Sequence, residues 1–234
     1  MAFQVDAQAA YVLHSRPYRD TSALVDFFTL ENGKVSAVVK GARNPRSKFR
    51  AVLQPFTPLQ ISWRGRQELK TLISAEAVAA PVFLSGSTLL CGLYVNELLE
   101  RLLQNIDPHP RLYVYYQYVL NELLEGTDIE VALRVFERQL LQQLGYDFDF
   151  SRCLPERHYY YHPEQGFCQT SPMNKAALPA DLLQAIGRED YNQVAVRKVA
   201  KRLMRQVFDH LLGHQRLRSR ELFTKIRTPA GSGS

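Results

Sequence analysis

The sequence predicts an α+β protein in which a small closed β-barrel of five strands precedes a mainly α-helical domain. Five short runs rich in Val, Ile, Leu, Thr and aromatic residues follow one another in about the first 80 residues, with turn residues between them. Near Pro81 the spacing of apolar residues changes to the three- and four-residue intervals of helices. Five strands in so short a segment fit a barrel better than a sandwich, which needs about seven.

The predicted strands fall in residues 1–80, which form the first expected domain. Their runs are QAAYVLHS, TSALVDFFT, GKVSAVVK, FTPLQISW and ELKTLISAEAV. The dipeptide Asn32-Gly33 lies between the second and third runs and favours the positive φ of a tight turn, so these two strands should form a hairpin. The arrangement favours an OB-type barrel, the small five-stranded barrel that binds oligonucleotides and oligosaccharides.

Three helices should follow the barrel directly. The first, over about residues 87–104, has an apolar face made by Leu89, Leu90, Leu93, Tyr94, Leu98 and Leu102. The second runs from about residue 110 to 124 and is ended by Gly126. The third begins at Thr127, whose spacing to Glu130 matches a capping box, and ends at Gly145. The links between them are short, so the three helices should pack side by side.

Residues 146–172 interrupt the helical pattern. Three consecutive tyrosines, Tyr159 to Tyr161, and the turn residue Gly166 predict a small β-like insert there. Helical spacing resumes over about 174–186, 192–212 and 219–226, so the second domain should span residues 81–228. Residues 229–234 end in Gly-Ser-Gly-Ser and resemble a flexible linker, so we expect a tail without a function of its own.

Cysteine content and the N-terminal sequence indicate the cellular compartment in which the protein is expected. Three cysteines cannot make a disulfide framework, and the N-terminus lacks the charged, apolar and small-residue order of a signal peptide. No apolar run reaches the roughly 18 residues that a membrane span needs. These observations predict a soluble protein of a reducing cytoplasm.

Positive charge is concentrated in two zones of the sequence. Residues 34–70 hold nine Lys or Arg against one acid, and residues 197–227 hold ten against two, so each zone has a net charge of +8. The whole chain is only +6, which leaves −10 for the remainder. Two cationic zones on an otherwise acidic protein indicate a surface for a polyanion, although ordinary solvated faces are the alternative.

The first zone contains thirteen residues, 38–50, with five cations and no acid. Gly41 and Pro45 favour an irregular backbone rather than a helix. In an extended loop, cations two or three residues apart could follow successive phosphates of a nucleic acid. The candidate contacts in this zone are Lys40, Arg43, Arg46, Lys48, Arg50, Arg64, Arg66 and Lys70. Phe49 and Trp63 are candidates for stacking on bases, with Phe56 a weaker one, against the alternative that these aromatics fill the barrel.

The second zone includes the predicted helix over residues 192–212. Val199, Leu203 and Val207 form an apolar row, and Arg197, Lys201 and Arg205 form a basic row on the opposite side. Arg216 and Arg218 follow shortly afterwards and complete the candidate contacts of this zone. A membrane surface or an acidic partner would also suit a basic amphipathic helix, so the pattern alone does not select nucleic acid.

Metal binding and catalysis have no supporting motif. Cys153, His158, His162 and Cys168 are spaced C-x4-H-x3-H-x5-C, without the C-x2-C pairs of structural zinc sites. Motifs for nucleotide hydrolysis, metalloproteases and serine hydrolases are absent as well. The expectation is a binding protein with no catalytic residues, no metal and no cofactor.

Segments distributed along almost the whole chain resemble one family. They include Leu13-His14-Ser15-Arg16-Pro17-Tyr18, Val39-Lys40-Gly41-Ala42-Arg43, Leu53-Gln54-Pro55-Phe56, Asn96-Glu97-Leu98-Leu99, Leu144-Gly145-Tyr146 and Ser219-Arg220-Glu221-Leu222-Phe223. In this order they resemble the RecO family of bacterial recombination and repair mediators. The resemblance implies an N-terminal OB-fold, a helical domain and no covalent catalysis.

The resemblance also implies activities and partners for this chain. RecO-like proteins bind single- and double-stranded DNA, anneal complementary strands including those coated by single-stranded DNA-binding protein (SSB), and with RecR help to load RecA. Many members hold zinc through two C-x2-C pairs in the insert, whereas here Cys153 and Cys168 lack their mates, so the chain is similar to a zinc-free branch held by packing of Tyr159–Tyr161 and Phe167.

The family's helical domain also receives the acidic tail of SSB, through an arginine in the motif L-R-x-F-E. Leu133 to Glu137 match that motif, which makes Arg134 the candidate for the tail's carboxylates. The alternative for Arg134 is an intramolecular pair with Glu130 or Glu137. For the whole protein, the alternative function is that of a non-enzymatic adaptor whose basic surfaces capture acidic partner tails rather than DNA.

Overall fold

A five-stranded barrel and seven helices make up most of the described chain. The computed structural model describes residues 3–213 and 215–227. They form two compact units, one of residues up to Thr127 together with those from Leu217 onward, and the other of Asp128–Arg216. The predicted α+β class, a five-stranded barrel followed by helices, is confirmed. The predicted Gly-Ser tail lies outside the described residues.

The barrel closes in the order β1-β2-β3-β5-β4, with β4 returning to β1. All neighbouring strands are antiparallel except β3 and β5, which are parallel. The elements of this part are β1 (Gln4–Tyr18), β2 (Ser22–Thr29), β3 (Gly33–Val39), α1 (Lys48–Val52), β4 (Leu59–Arg64) and β5 (Leu69–Ala77).

The long first strand makes the closure possible. The first half of β1 pairs with β4 and the second half with β2, with irregularities between Val5 and Gln8 and between Val12 and His14 that bend the strand. One register row runs around the barrel through Gln4, Arg64, Thr71, Val38, Leu24 and Arg16. The row returns to β1 twelve residues further along, as the stagger of a closed barrel requires.

Strand alternation fills the barrel with apolar side chains. Along β3, every second residue from Gly33 to Val39 is buried, and Phe27 and Trp63 lie in the same core. The predicted hairpin turn is confirmed, because Gly33 has a φ of 62° and β2 pairs with β3. Thr29 Oγ1 donates to the Gly33 carbonyl at 2.8 Å and accepts from Asn32 N at 3.1 Å, which closes the turn.

Helices α2 (Gly86–Leu102) and α3 (Pro110–Glu125) cover the outer side of β1 and β2. Asn96 on α2 donates to the carbonyl oxygens of Val12 and Leu13 at 3.2 and 3.3 Å, and accepts from Tyr116 Oη at 2.7 Å. The ring of Phe28 on β2 packs against the rings of Tyr113 and Tyr116 on α3. The predicted end of α3 at Gly126 is confirmed by its left-handed φ of 73°.

Helix α7 (Arg218–Arg227) completes the first unit by packing on α2. The carboxylate of Glu97 accepts hydrogen bonds from the backbone N of Arg218 and Ser219 at 2.9 and 3.0 Å and from Ser219 Oγ at 2.7 Å. These groups would otherwise be the unpaired donors of a helix N-terminus. Burial alone would raise the pKa of Glu97, but the hydrogen bonds from Ser219 and Arg218 outweigh it and the pKa is lowered.

The second unit is built from α4 (Ile129–Gln143), α5 (Ala180–Gly187) and α6 (Val194–Leu211), with the insert between α4 and α5. The predicted cap at Thr127 is wrong, because Asp128 is the N-cap and its carboxylate accepts from Val131 N at 3.4 Å. Of the three helices expected to pack side by side, α2 and α3 contact each other in the first unit, whereas α4 belongs to the second unit and packs against α6 there. The apolar side of α6 is buried as predicted, with Val199 only partly covered.

The predicted insert is a three-stranded sheet with the order β7-β6-β8, formed by β6 (His158–His162), β7 (Gly166–Thr170) and β8 (Leu178–Pro179). Four rings, of Phe148, Phe150, Tyr161 and Phe167, pack with centroids 5.4–6.0 Å apart. The expected packing role of Tyr161 and Phe167 is therefore confirmed. Within the described residues, no helix is both long and apolar enough to cross a bilayer.

Candidate nucleic-acid interface

The basic loop, residues 40–50, folds into turns followed by a short helix. Asn44 N donates to the Gly41 carbonyl at 3.1 Å, Ser47 N donates to the Asn44 carbonyl at 2.9 Å, and α1 begins at Lys48. The expectation of an extended loop is therefore wrong. The cations of this loop therefore lie on turns and on one short helix rather than along an extended backbone.

Apolar side chains and main-chain hydrogen bonds anchor the basic loop to the barrel. Ala42, Phe49 and Val52 are partly buried against the barrel core. Arg43 N donates to the Thr21 carbonyl at 2.9 Å, and Arg43 Nη1 lies 3.2 Å from the carbonyl oxygen of Asp20. The loop is thus fixed beside the turn between β1 and β2 while its charged groups remain outside.

Five cations of this loop are exposed, and none pairs with a carboxylate in the described part of the chain. They are Lys40, Arg43, Arg46, Lys48 and Arg50. Uncompensated like charges held close together repel one another, so binding a polyanion would relieve this repulsion as well as form new contacts. Phe49 is half-buried, and the Lys48 ammonium lies 5.5 Å from its ring centroid, so both interactions limit the ring area left for stacking.

The end of β4 and the β4–β5 loop, residues 65–68, present one further cation each. Arg64 and Arg66 are exposed and have no acidic partner among the described residues. Lys70 differs, because it is only 5% exposed and its Nζ donates to the carbonyl oxygens of Arg66 and Gln67. The expected nucleic-acid contact by Lys70 is wrong, since its ammonium group holds the loop in shape instead.

Trp63 is also removed from the candidate interface. Its side chain is 2% exposed and lies among the apolar residues that fill the barrel. A side chain enclosed in this way cannot stack on a base without opening the core, so the stacking prediction for Trp63 is wrong. Phe56, the weaker candidate, is buried as well.

Two exposed arginines beside the basic loop were missed from the sequence. Arg16 lies near the end of β1, in the same register row as Val38. Arg19 lies in the turn between β1 and β2, and its carbonyl oxygen accepts a hydrogen bond from Arg43 Nη1 at 3.3 Å. Asp20 follows Arg19 directly, which hid both residues from a search for runs of uncompensated charge. Strand pairing between β1, β2 and β3 is the signal that joins them to the loop.

A polar cluster lies on the outer side of the barrel under α2. His14, Asp26 and Ser36 share one register row, and Ser36 Oγ donates to Asp26 Oδ1 at 2.5 Å. His14 Nδ1 is 3.8 Å from Asp26 Oδ2, and Glu100 brings a third metal-ligating group within 4.8 Å of both. Lys34 Nζ donates to the Glu100 carbonyl at 2.7 Å. This is the one such cluster found among the described residues, where Cys153, His158, His162 and Cys168 do not converge.

The interaction between His14 and Asp26 shifts both pKa values. The pKa of His14 is raised, chiefly by the Asp26 carboxylate, against the opposing effect of partial burial. Burial would raise the pKa of Asp26, but His14, Ser36 and the nearby Arg16 outweigh it, so the pKa of Asp26 is lowered. The negative charge of Glu100 also favours protonated His14.

The predicted basic row on α6 is partly neutralised by the chain itself. Arg197 lies 3.8 Å from Asp128 and 4.0 Å from Glu130, and Lys201 lies 3.9 Å from Glu130. Arg205 is exposed without an ion pair in the described residues. The second zone therefore offers fewer open cations than its sequence indicates.

The remaining candidates of the second zone lie after α6. Arg216 and Arg218 are both exposed, and the backbone N of Arg218 is bound by Glu97. A contact of Arg216 or Arg218 with nucleic acid therefore stays a prediction.

Arg134, the candidate for an acidic tail, is buried in a pair. Its side chain is 5% exposed, and Nη2 lies 2.8 Å from Oε1 of Glu137, which is 1% exposed. This is the intramolecular alternative that the i, i+3 spacing allowed. A tail carboxylate would have to reach the guanidinium group beside Glu137, so the role of Arg134 in tail binding stays a prediction.

The sequence matches known families over nearly its whole length. The family models described as "Recombination protein O N terminal" and "Recombination protein O C terminal" match residues 1–81 and 84–221. A protein named DNA repair protein RecO from Haemophilus influenzae (strain 86-028NP) is 42% identical over 236 residues, covering 95% of this chain and 97% of the relative.

Two other relatives carry the same name. One from Pseudomonas aeruginosa (strain LESB58) is 44% identical over 223 residues, with 93% of this chain and 94% of the relative covered. One from Ralstonia nicotianae is 39% identical over 233 residues, with 96% and 86% covered. The chain belongs to the recombination protein O (RecO) family of DNA repair proteins.

Proposed function

We propose that this chain is a recombination mediator that binds single- and double-stranded DNA, anneals complementary strands, including strands coated by SSB, and with RecR promotes the loading of RecA. One observation carries the DNA-binding part of the proposal. Seven exposed cations, on the basic loop, the end of β4 and the β4–β5 loop, have no carboxylate partner in the described chain: Lys40, Arg43, Arg46, Lys48, Arg50, Arg64 and Arg66.

Annealing in this proposal needs charge neutralisation rather than covalent chemistry. Two complementary strands repel each other through their phosphates, and lysine and arginine side chains that contact the phosphates release condensed counterions. Base pairing then supplies the driving force. The basic loop of the barrel holds one strand, and either α6 with Arg205 or the later segment with Arg216 and Arg218 is the candidate for the other. Arg197 and Lys201 contribute less, because Asp128 and Glu130 already offset their charge.

The proposal assigns no catalytic residue, metal or cofactor to this activity. It places the protein in the bacterial cytoplasm at the nucleoid, where its DNA substrate and RecA are found. The SSB tail, with its carboxylates, is proposed to bind in the helical part of the chain at Arg134. RecR and RecA are assigned as partners from family membership, without a particular surface.

Charge reversal of the basic loop tests the proposal against the adaptor alternative. The variant Arg43→Glu/Arg46→Glu/Lys48→Glu should lose binding to an oligonucleotide and should no longer anneal complementary strands. A matched control, Arg157→Glu/Lys175→Glu/Arg188→Glu, makes the same change in net charge at exposed cations of the second unit and should retain both activities.

The adaptor alternative predicts a different pair of results. The loop variant would then bind DNA as the control does, and would lose binding to an acidic tail peptide instead. Fluorescence anisotropy with a labelled oligonucleotide and a labelled SSB tail peptide measures both affinities on the same protein samples. Loss of peptide binding with intact DNA binding would overturn the proposed function.

A further inference from the structure

The two outer sides of the barrel differ in what covers them. On β2, the side chains that point away from the core are Leu24, Asp26 and Phe28, and all three are buried. Helices α2 and α3 of the same unit lie over β1 and β2, as the contacts of Asn96 and Phe28 show. The outer side of β1 and β2 is therefore occupied by the chain's own helices and is closed to a ligand.

The opposite side, over β5 and β4, is open, whereas Lys34 and Ser36 on β3 lie next to α2. Leu69 and Ile73 point outward from β5 and are 41% and 40% exposed, while Leu72 between them points into the core. Thr71 is half-exposed between the two, and Val38 on β3 pairs with Thr71. We refer to Val38, Leu69, Thr71 and Ile73 as the apolar strip.

Uncompensated cations border the apolar strip on both sides. Arg64 on β4 pairs with Thr71 in the sheet register, and Arg66 lies in the loop that leads into β5. On the other side, Lys40 directly follows β3, and α1, which carries Lys48 and Arg50, packs against β5. Glu68, the acid of the β4–β5 loop, accepts a hydrogen bond from the Asn105 amide and is exposed at the edge of the strip.

We propose that the apolar strip holds the bases of single-stranded nucleic acid while the cations of the two bordering loops hold its phosphates. This inference rests on the proposed DNA binding and names the side of the barrel that carries it. A single strand is the polyanion that also offers apolar base surfaces, whereas a duplex keeps its bases stacked inside. Exposed aliphatic side chains between two groups of cations match that combination of properties.

The strip also replaces the stacking role expected of Trp63. Contact with aliphatic side chains is driven by burial of apolar area and does not distinguish one base from another, so the strip would bind single strands without sequence preference. The Thr71 hydroxyl can accept or donate a hydrogen bond to a base edge within the same contact. Cations alone would fix the backbone equally well with or without bases.

A pair of oligonucleotides separates base contacts from phosphate contacts. The probes are a labelled single-stranded oligothymidylate and an abasic oligonucleotide of the same length and phosphate number, both titrated by anisotropy at one salt concentration. The wild-type protein should bind the oligothymidylate more tightly than the abasic strand. Leu69→Ser/Ile73→Ser should bind the oligothymidylate about three- to tenfold more weakly, as expected from the apolar area removed, and bind the abasic strand as the wild type does.

The control variant is Leu124→Ser, which removes an exposed leucine from α3 on the covered side of the barrel and should leave both affinities unchanged. Both substituted strip residues are well exposed, and equal thermal unfolding midpoints for the variants and the wild type check that the fold is kept. If Leu69→Ser/Ile73→Ser keeps the wild-type preference for bases, the strip is not the base site, although the proposed DNA binding stands.

Two further outcomes would overturn the inference in different ways. If the wild type binds neither strand in a salt-dependent manner, the proposed function fails and the inference fails with it. If the strip variant binds both strands normally but loses an acidic, phenylalanine-containing peptide, the strip is a docking surface for a protein tail.

Discussion

Replacing Arg134 should reveal a large stability cost that is separate from any role in tail binding. The guanidinium and carboxylate groups of Arg134 and Glu137 lie 2.8 Å apart with 5% and 1% of their side chains exposed. Arg134→Ala leaves the Glu137 carboxylate buried without its arginine. Breaking such a pair costs about 3–5 kcal/mol, because the remaining charge has lost its compensation and does not regain water.

The double variant Arg134→Met/Glu137→Leu is the matched comparison. Replacing both members of a buried ion pair with apolar side chains of similar volume is often neutral, or stabilises by about 1–4 kcal/mol. We therefore expect the midpoint of urea unfolding, followed by circular dichroism, to fall sharply for Arg134→Ala and to return to or exceed the wild-type midpoint in the double variant. Equal destabilisation by both variants would refute loss of the Arg134 charge beside the buried Glu137 carboxylate as the cause.

Glu137→Gln tests the proposed tail contact without removing the arginine. If a tail carboxylate binds Arg134, neutralising its intramolecular competitor should strengthen binding of an SSB tail peptide by about tenfold, as expected when a charge-assisted partner is released. DNA affinity should not change. Unchanged or weaker peptide binding by a folded Glu137→Gln variant would show that Arg134 serves the fold alone.

Three other predictions concern the barrel. The raised pKa of His14 means that its interaction with Asp26 stabilises the fold fully below the unfolded-state pKa of about 6.5 and that this stabilisation is lost as pH rises through the folded-state value; His14→Gln should lose the corresponding dependence of the unfolding midpoint on pH above 6.5. Gly126→Ala should cost about 1–2 kcal/mol for its positive φ, and Gly33→Ala clearly more, because a Cβ at Gly33 would lie 1.9 Å from the Asp107 carbonyl oxygen; chemical denaturation compares them. Trp63, the single tryptophan, should keep the emission maximum of a buried indole when DNA binds, and a large shift on saturation with oligonucleotide would contradict its place in the core.

Most of the barrel could be predicted because its determinants are local. Alternation along β3 and the Asn32-Gly33 dipeptide specify a strand and a hairpin without reference to the rest of the chain. Gly126 ended α3 for the same reason, since a left-handed residue after a helical run is a local signal. The pairing of β1 with β4, which closes the barrel, could be expected because closure removes the two edge strands that an open five-stranded sheet would expose.

The site was harder to predict because charge pairing is a tertiary property. Lys70 and Arg66 are both cations of the first zone, and the sequence does not distinguish them. In the structure Lys70 is buried, and its ammonium group donates to the carbonyl oxygen of Arg66 in the β4–β5 loop. Arg197 and Lys201 meet Glu130, which lies more than sixty residues earlier in the chain. Counting charges in sequence windows identifies the basic loop correctly, because no acidic side chain of the described residues pairs with its cations. The same count overestimates the positive charge of the zone on α6, because Asp128 and Glu130 pair with Arg197 and Lys201.

Which surfaces face outward could be predicted only in part. Trp63 shares the apolar face of β4 with Leu59 and Ile61, so the alternation along this strand already favoured the alternative that its ring fills the barrel. For Phe49, Gly41 and Pro45 predicted an irregular backbone. The structure instead places Phe49 on the short helix α1, which packs its ring against the barrel core. The open side of β5 became recognisable only when α2 and α3 were seen to cover β1 and β2.

The salt dependence of single-strand binding tests the central electrostatic claim most directly. The logarithm of the affinity should fall linearly with the logarithm of salt concentration, at about 0.7 per phosphate contacted. Arg43→Ala/Arg46→Ala/Lys48→Ala should reduce the magnitude of that slope by about two, as expected if three phosphate contacts are lost, while the corresponding alanine control at Arg157, Lys175 and Arg188 keeps it. A slope near zero in the wild type, or a slope that the loop substitutions leave unchanged, would contradict the account.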